Sequence, residues 1–169
     1  RRTEDLLSRK LDEDPFVSLA RASLEAYVRD GKRIRPPKGL PAEMYDTRAG
    51  AFVSIKKFGE LRGCIGTILP CRASLAEEIC TNAISAAAHD PRFPQVSADE
   101  LDDLVYDVDV LSVPESIDSE KDLDPRRYGV IVSAADGRRG LLLPDLEGVD
   151  TISEQVGIAA RKGGIDLGR

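Results

Sequence analysis

Gly50-Ala51-Phe52-Val53-Ser54-Ile55-Lys56-Lys57-Phe58-Gly59-Glu60-Leu61-Arg62-Gly63-Cys64-Ile65-Gly66 decides how this chain folds. Ala51, Val53 and Ile55 alternate with Phe52, Ser54 and Lys56, the period of a strand with two distinguishable faces. Phe58-Gly59-Glu60 reads as a reversal and residues 61–69 as the returning strand, so the spacing predicts a hairpin. Ser74-x-x-Glu77 follows, a pattern in which the two side chains satisfy backbone N–H groups at a helix start. Leu75, Ile79, Ala83 and Ala87, widened by Cys80 and Ile84, supply that helix with an apolar stripe.

On the N-terminal side, Asp14-Pro15 reads as a cap followed by proline at the first helical position. Phe16, Leu19, Ala20, Leu24, Tyr27 and Val28 recur at helical spacing until Gly31 stops them. Residues 1–13 are charged, with Leu6, Leu7 and Leu11 enough for a short amphipathic turn; they read as an N-terminal extension. Residues 32–48, with Pro36-Pro37, Gly39 and Pro41, are expected to be a long loop. On the C-terminal side comes a proline-stiffened loop, Asp90-Pro91-Arg92-Phe93-Pro94. Ser97-x-x-Glu100 then starts a short helix, and residues 104–113 form a strand. Strands at 128–134 and 140–143 flank the turn dipeptide Asp136-Gly137, and Thr151-x-x-Glu154 caps a last helix that Gly163-Gly164 ends. Runs of strands with interspersed helices indicate an α+β fold.

Composition bounds the function. The chain has 169 residues, 41% hydrophobic and 32% charged, enough for one domain that needs no disulfide or metal staple. The net charge of −6 disfavours a non-specific grip on nucleic acid or on an anionic membrane. Three cysteines at irregular spacing read as free thiols in a reducing compartment, so a cytoplasmic location is expected. No apolar run is long enough to span a bilayer. Cys64, Cys71 and Cys80 lack metal-ligand spacing and a single histidine cannot complete a zinc site, so neither a metal nor another cofactor is expected.

The run Leu61-Arg62-Gly63-Cys64-Ile65-Gly66 resembles the signature of the AMMECR family, known in prokaryotes as AmmeMemoRadiSam system protein A. Three further segments resemble it in the same order: residues 90–94, Gly140-Leu141-Leu142-Leu143-Pro144 after the Asp-Gly turn, and Arg161-Lys162-Gly163-Gly164-Ile165. The resemblance implies an α+β fold with two related strand-and-helix halves sharing one curved, barrel-like mixed β-sheet. Residues 14–169 then form a single domain of two intertwined subdomains. It also implies partners, a Memo-type protein and a radical S-adenosylmethionine protein, and supplies no reaction. Ala160 stands where many relatives carry a cysteine, and Asp109 where a small hydroxyl residue is usual. The chain stops at Arg169, earlier than in typical members.

In a regular strand Arg62 and Cys64 share a face, about 6 to 7 Å apart, and a guanidinium that close favours the reactive thiolate. Gly63 and Gly66 would let a ligand or another backbone segment approach. One reading is therefore a pocket for a small anionic ligand. In it Cys64 is nucleophile or covalent carrier, Arg62 holds an anionic group, Asp90 or His89 moves protons, and Arg92 and Lys56 add positive charge. The other is structural: a packed cysteine between glycines needed for tight strand packing, His89 complementing a helix C-terminus, and an Asp90–Arg92 pair pinning its loop. Asp107 and Asp109, on one strand face, are paired carboxylates, a hold for a hard cation, or an ordinary solvated surface. The function expected is an accessory or enzymatic role in the Memo and radical-enzyme system, or alternatively a non-catalytic protein-binding module.

Overall fold

The computed structural model describes residues 14–168, so the N-terminal extension expected at 1–13 lies outside the described residues. The fold is α+β, and contacts divide the chain into two compact units, Arg1–Pro114 and Glu115–Arg169.

In the first unit, helix α1 (Pro15–Asp30) begins where the Asp14 carboxylate accepts from the Val17 amide at 2.8 Å. It ends at Gly31, whose φ of 67° is the left-handed cap that glycine adopts without strain. The expected loop 32–48 contains a five-residue helix, α2 (Ala42–Asp46), whose Met44 is fully buried. Strands β1 (Ala51–Lys57) and β2 (Glu60–Gly66) form the predicted hairpin, with positive φ at both Phe58 (53°) and Gly59 (82°). Both turn residues thus take the sign of φ that matches the right-handed twist of the strands. β2 stops at Gly66 instead of reaching residue 69. Beyond it the buried Glu78 carboxylate accepts from the Thr67 hydroxyl (2.9 Å) and from the amides of Cys71 (2.8 Å) and Arg72 (3.1 Å). The backbone there turns to a carboxylate in place of a ladder.

Helix α3 (Leu75–Ala88) lies against β1 and β2, and α1 packs in turn on α3. Ser74 caps α3 by accepting from the Glu77 amide at 3.2 Å, whereas the Glu77 side chain reaches back to Ala73. The 3-10 helix Ala98–Asp103 leads into β3 (Leu104–Val110), which pairs antiparallel with β1 to give the order β2-β1-β3. Val53, Ile55, Leu24, Ile79, Leu101 and Leu104 are wholly buried. Burying each of the larger side chains contributes roughly 2 kcal/mol.

The second unit repeats the hairpin-then-helix pattern with β4 (Val130–Ser133), β5 (Arg139–Leu142) and α4 (Ile152–Lys162). Thr151 caps α4 by accepting from the Glu154 amide at 3.1 Å. Gly137, at φ 92°, closes the β4–β5 turn by donating to the Ala134 carbonyl. In each unit a glycine of the second strand meets a helix carbonyl. A Cβ on Gly63 would lie 2.3 Å from the Ala86 oxygen, and one on Gly140 1.6 Å from the Ala159 oxygen. The expectation of one shared mixed sheet is corrected here: among the described residues the strands fall into sheets of three and two, and every pairing is antiparallel. Hairpins with short turns can pair in no other sense, and β3 runs back along β1 the same way. Neither sheet closes into a barrel.

Candidate functional site

The β1–β2 register changes partway along the hairpin. Lys57 faces Glu60 and Lys56 faces Leu61, but Ile55 faces Gly63, leaving Arg62 as an extra residue. Without that bulge Cys64 would stand opposite Val53 on the face that α3 covers. With it, Cys64 stands opposite Ser54 on the other face, in a row that continues to Asp107 on β3. The thiol is half-buried, and its sulfur lies 3.2 Å from the Ser54 hydroxyl.

β2 is a sheet edge, and the backbone of Cys64 faces outward along it. The 90–94 loop satisfies both of its polar groups. The Cys64 amide donates to Asp90 Oδ2 at 3.0 Å, and Arg92 Nη2 donates to the Cys64 carbonyl at 3.3 Å. Asp90, only 4% exposed, also accepts from the Arg92 amide (3.0 Å), Nε (3.0 Å) and Nη2 (2.8 Å). These bonds, that from the Arg92 side chain foremost, lower the Asp90 pKa to about 2. In return the carboxylate raises the pKa of Arg92. An acidic and a basic side chain here do what a neighbouring strand would do at a sheet edge.

Arg62 does not face the thiol. Its Nε and Nη2 make a two-pronged pair with Glu100, at 3.0 Å each, and Nη1 donates to the Pro94 carbonyl at 2.8 Å. Lys57 joins the same carboxylate at 3.1 Å. Glu100 is thereby held at a pKa of about 2, chiefly by Arg62, while its other oxygen accepts from the Ser97 amide at 2.9 Å. The same-face reading of Arg62 and Cys64 fails because the bulge breaks the alternation on which it depends.

Other candidate residues divide between packing and surface. Gly63 makes room for α3, and a Cβ on Gly66 would come within 2.3 Å of the Phe52 ring, so neither glycine opens space for a ligand. His89 is the C-cap of α3 and is exposed. Lys56 is exposed on the Ser54 side of β1. Asp109, on the same face, has its pKa raised by loss of solvation and then by the charge of Asp107. Cys71 is exposed, whereas burial pushes the Cys80 thiol up to about 11. Among the described residues no group of three metal-ligating side chains exists.

Sequence reading missed Ser54, Glu78 and the ion-pairing role of Glu100. Ser54 would have emerged from hairpin counting only with the bulge known, and Glu78 sits in the first turn of α3 beside Glu77 with no pattern that sets it apart. Chemically, the arrangement offers a half-buried thiol beside a hydroxyl, with the carboxylate and guanidinium that bond its backbone also engaged by each other.

Residues 17–168 match the AMMECR1 family model. The chain is 56% identical over 156 residues to a protein of Thermotoga maritima, covering 92% of this chain and 89% of that one. It is 51% identical over 166 residues to a Clostridium acetobutylicum protein, covering 98% of this chain but 35% of that one. The crystal structure of the uncharacterized protein PH0010 from Pyrococcus horikoshii matches with a TM-score of 0.80 at 35% identity, over 89% of this chain and 78% of that one. Among the described residues no helix is long and apolar enough to cross a membrane.

Proposed function

The chain belongs to the AMMECR1 family, and from that membership we propose that it is an accessory binding module. It presents the Ser54–Cys64 face of its first sheet to a partner protein and does not use the thiol for turnover. The observation that carries this reading is that the carboxylate and the guanidinium groups on which thiol catalysis would draw are already engaged. Asp90 is locked to Arg92 and the Cys64 amide at a pKa of about 2, so it is a poor base at neutral pH. Arg62 is spent on Glu100, and His89 sits exposed at a helix end. What remains is a rigid, half-buried surface, of the kind suited to recognition.

Length in the relatives supports a partner. Nearly the whole of this chain corresponds to about a third of the Clostridium acetobutylicum protein, yet to most of the Thermotoga maritima one. A segment found both largely alone and joined to a longer chain is what a module working beside another domain would leave. The partners proposed are the Memo-type and radical S-adenosylmethionine proteins that the resemblance implies.

Co-elution on a sizing column tests the reading. The full chain should co-elute with one of those two proteins from the same organism. Ser54→Arg and, separately, the exposed Lys56→Glu should weaken the complex with unchanged melting temperature, while Cys64→Ala keeps it. Absence of any complex, or a turnover that Cys64→Ala abolishes, overturns the proposal.

A further inference from the structure

The segment after α1 carries the densest positive charge in an acidic chain. Lys32, Arg33, Arg35 and Lys38 put four cations into seven residues, and all four are exposed. Among the described residues none of them is paired with a carboxylate, in contrast to Arg29, which Glu25 holds at 3.3 Å. The loop carrying them is tied down at several points. Gly31 caps α1, and the Lys32 amide donates to the Ala26 carbonyl at 3.3 Å. Ile34 and Leu40 pack against the core, and Pro36-Pro37 removes backbone freedom between them. The Tyr45 hydroxyl donates to the Pro37 carbonyl and accepts from the Leu40 amide at 3.1 Å. Arg33 stacks over the Tyr27 ring, 5.3 Å from its centre.

We propose that this loop is a second interaction surface, independent of the Ser54–Cys64 face, that takes a short acidic segment of a partner protein. A tethered loop with unpaired cations loses little entropy on binding, which favours recognition over an incidental charge run. Its length selects the partner. Lys32 to Lys38 spans at most about 20 Å even if fully extended, the reach of a peptide of about six residues. A nucleic acid would run past the loop onto the rest of a chain whose overall net charge is −6, where its phosphates meet carboxylates.

The test uses the full chain and a fluorescein-labelled deca-glutamate peptide, followed by anisotropy. The peptide should bind, and binding should fall steeply between about 50 mM and about 200 mM salt. Arg33→Gln/Arg35→Gln/Lys38→Gln should weaken it about tenfold, whereas Arg126→Gln/Arg127→Gln, an exposed basic pair elsewhere, should leave it unchanged. Arg35→Gln alone supplies the same comparison, at a smaller fold-change, should the triple variant lose its melting transition. No salt-dependent binding by the unaltered chain, equal losses in the triple and control variants, or tighter binding of a single-stranded oligonucleotide of matched charge would each overturn the proposal.

Discussion

A methyl group at position 63 would lie 2.3 Å from a helix carbonyl oxygen, a contact that only backbone movement can relieve. Gly63→Ala should therefore destabilise the protein by about 2 kcal/mol or more, read as a shifted denaturant midpoint; an unshifted midpoint would show that α3 yields easily. Two carboxylates set the acid limit. Asp90 and Glu100 have folded pKa values near 2, against ordinary values of 3.8 and 4.5. Their folded values are depressed, so the stability they confer is complete above the ordinary values and is lost as pH falls through the window down to about 2. Equilibrium unfolding across that window should show a fall in stability that Glu100→Gln flattens. Asp109 has the opposite sign, its pKa being raised, so its ionisation costs stability as pH rises. Asp109→Asn should be slightly stabilising at neutral pH and neutral in acid, by the same measurement.

Among elements, the edge of β2 carries the most consequence. Asp90 and Arg92 close it by binding the amide and carbonyl of Cys64. Asp90→Ala should raise hydrogen exchange in the 60–66 segment while the paired strand β1 stays protected, and equal exchange in both proteins would deny the loop that role. The elements with side-chain caps were legible in the sequence: Asp14, Ser74 and Thr151 each start a helix where they were expected to. α2 was hidden because it is a single turn behind Pro41, with no side-chain cap to announce it. The bulge at Arg62 was hidden for a deeper reason. No residue in 58–63 announces an extra position, and the shift follows from long-range ties of Arg62 to Glu100 and Pro94. The residues of the site were therefore readable and their facing was not.

At the scale of the molecule, three thiols sample three depths. Cys71 is exposed, Cys64 half-buried and Cys80 enclosed in α3, where burial raises its pKa to about 11. Alkylation followed by mass spectrometry should modify Cys71 without unfolding and Cys80 only with it, so that Cys80 labelling tracks denaturation of the first unit; early Cys80 labelling would mean that α3 opens locally. The sequence was informative about the two hairpin-and-helix segments but not about their sheets, because local pattern marks strands while pairing depends on residues far apart in the chain. The hairpin that bears Cys64 also has a parity. A loss or gain of one residue between the turn and Gly63 toggles the thiol from one side of the sheet to the other, while a change of two restores it. Only changes of two residues in that stretch keep the facing, and a chain with an intact Arg-Gly-Cys run but an odd count before it would carry the motif facing inward.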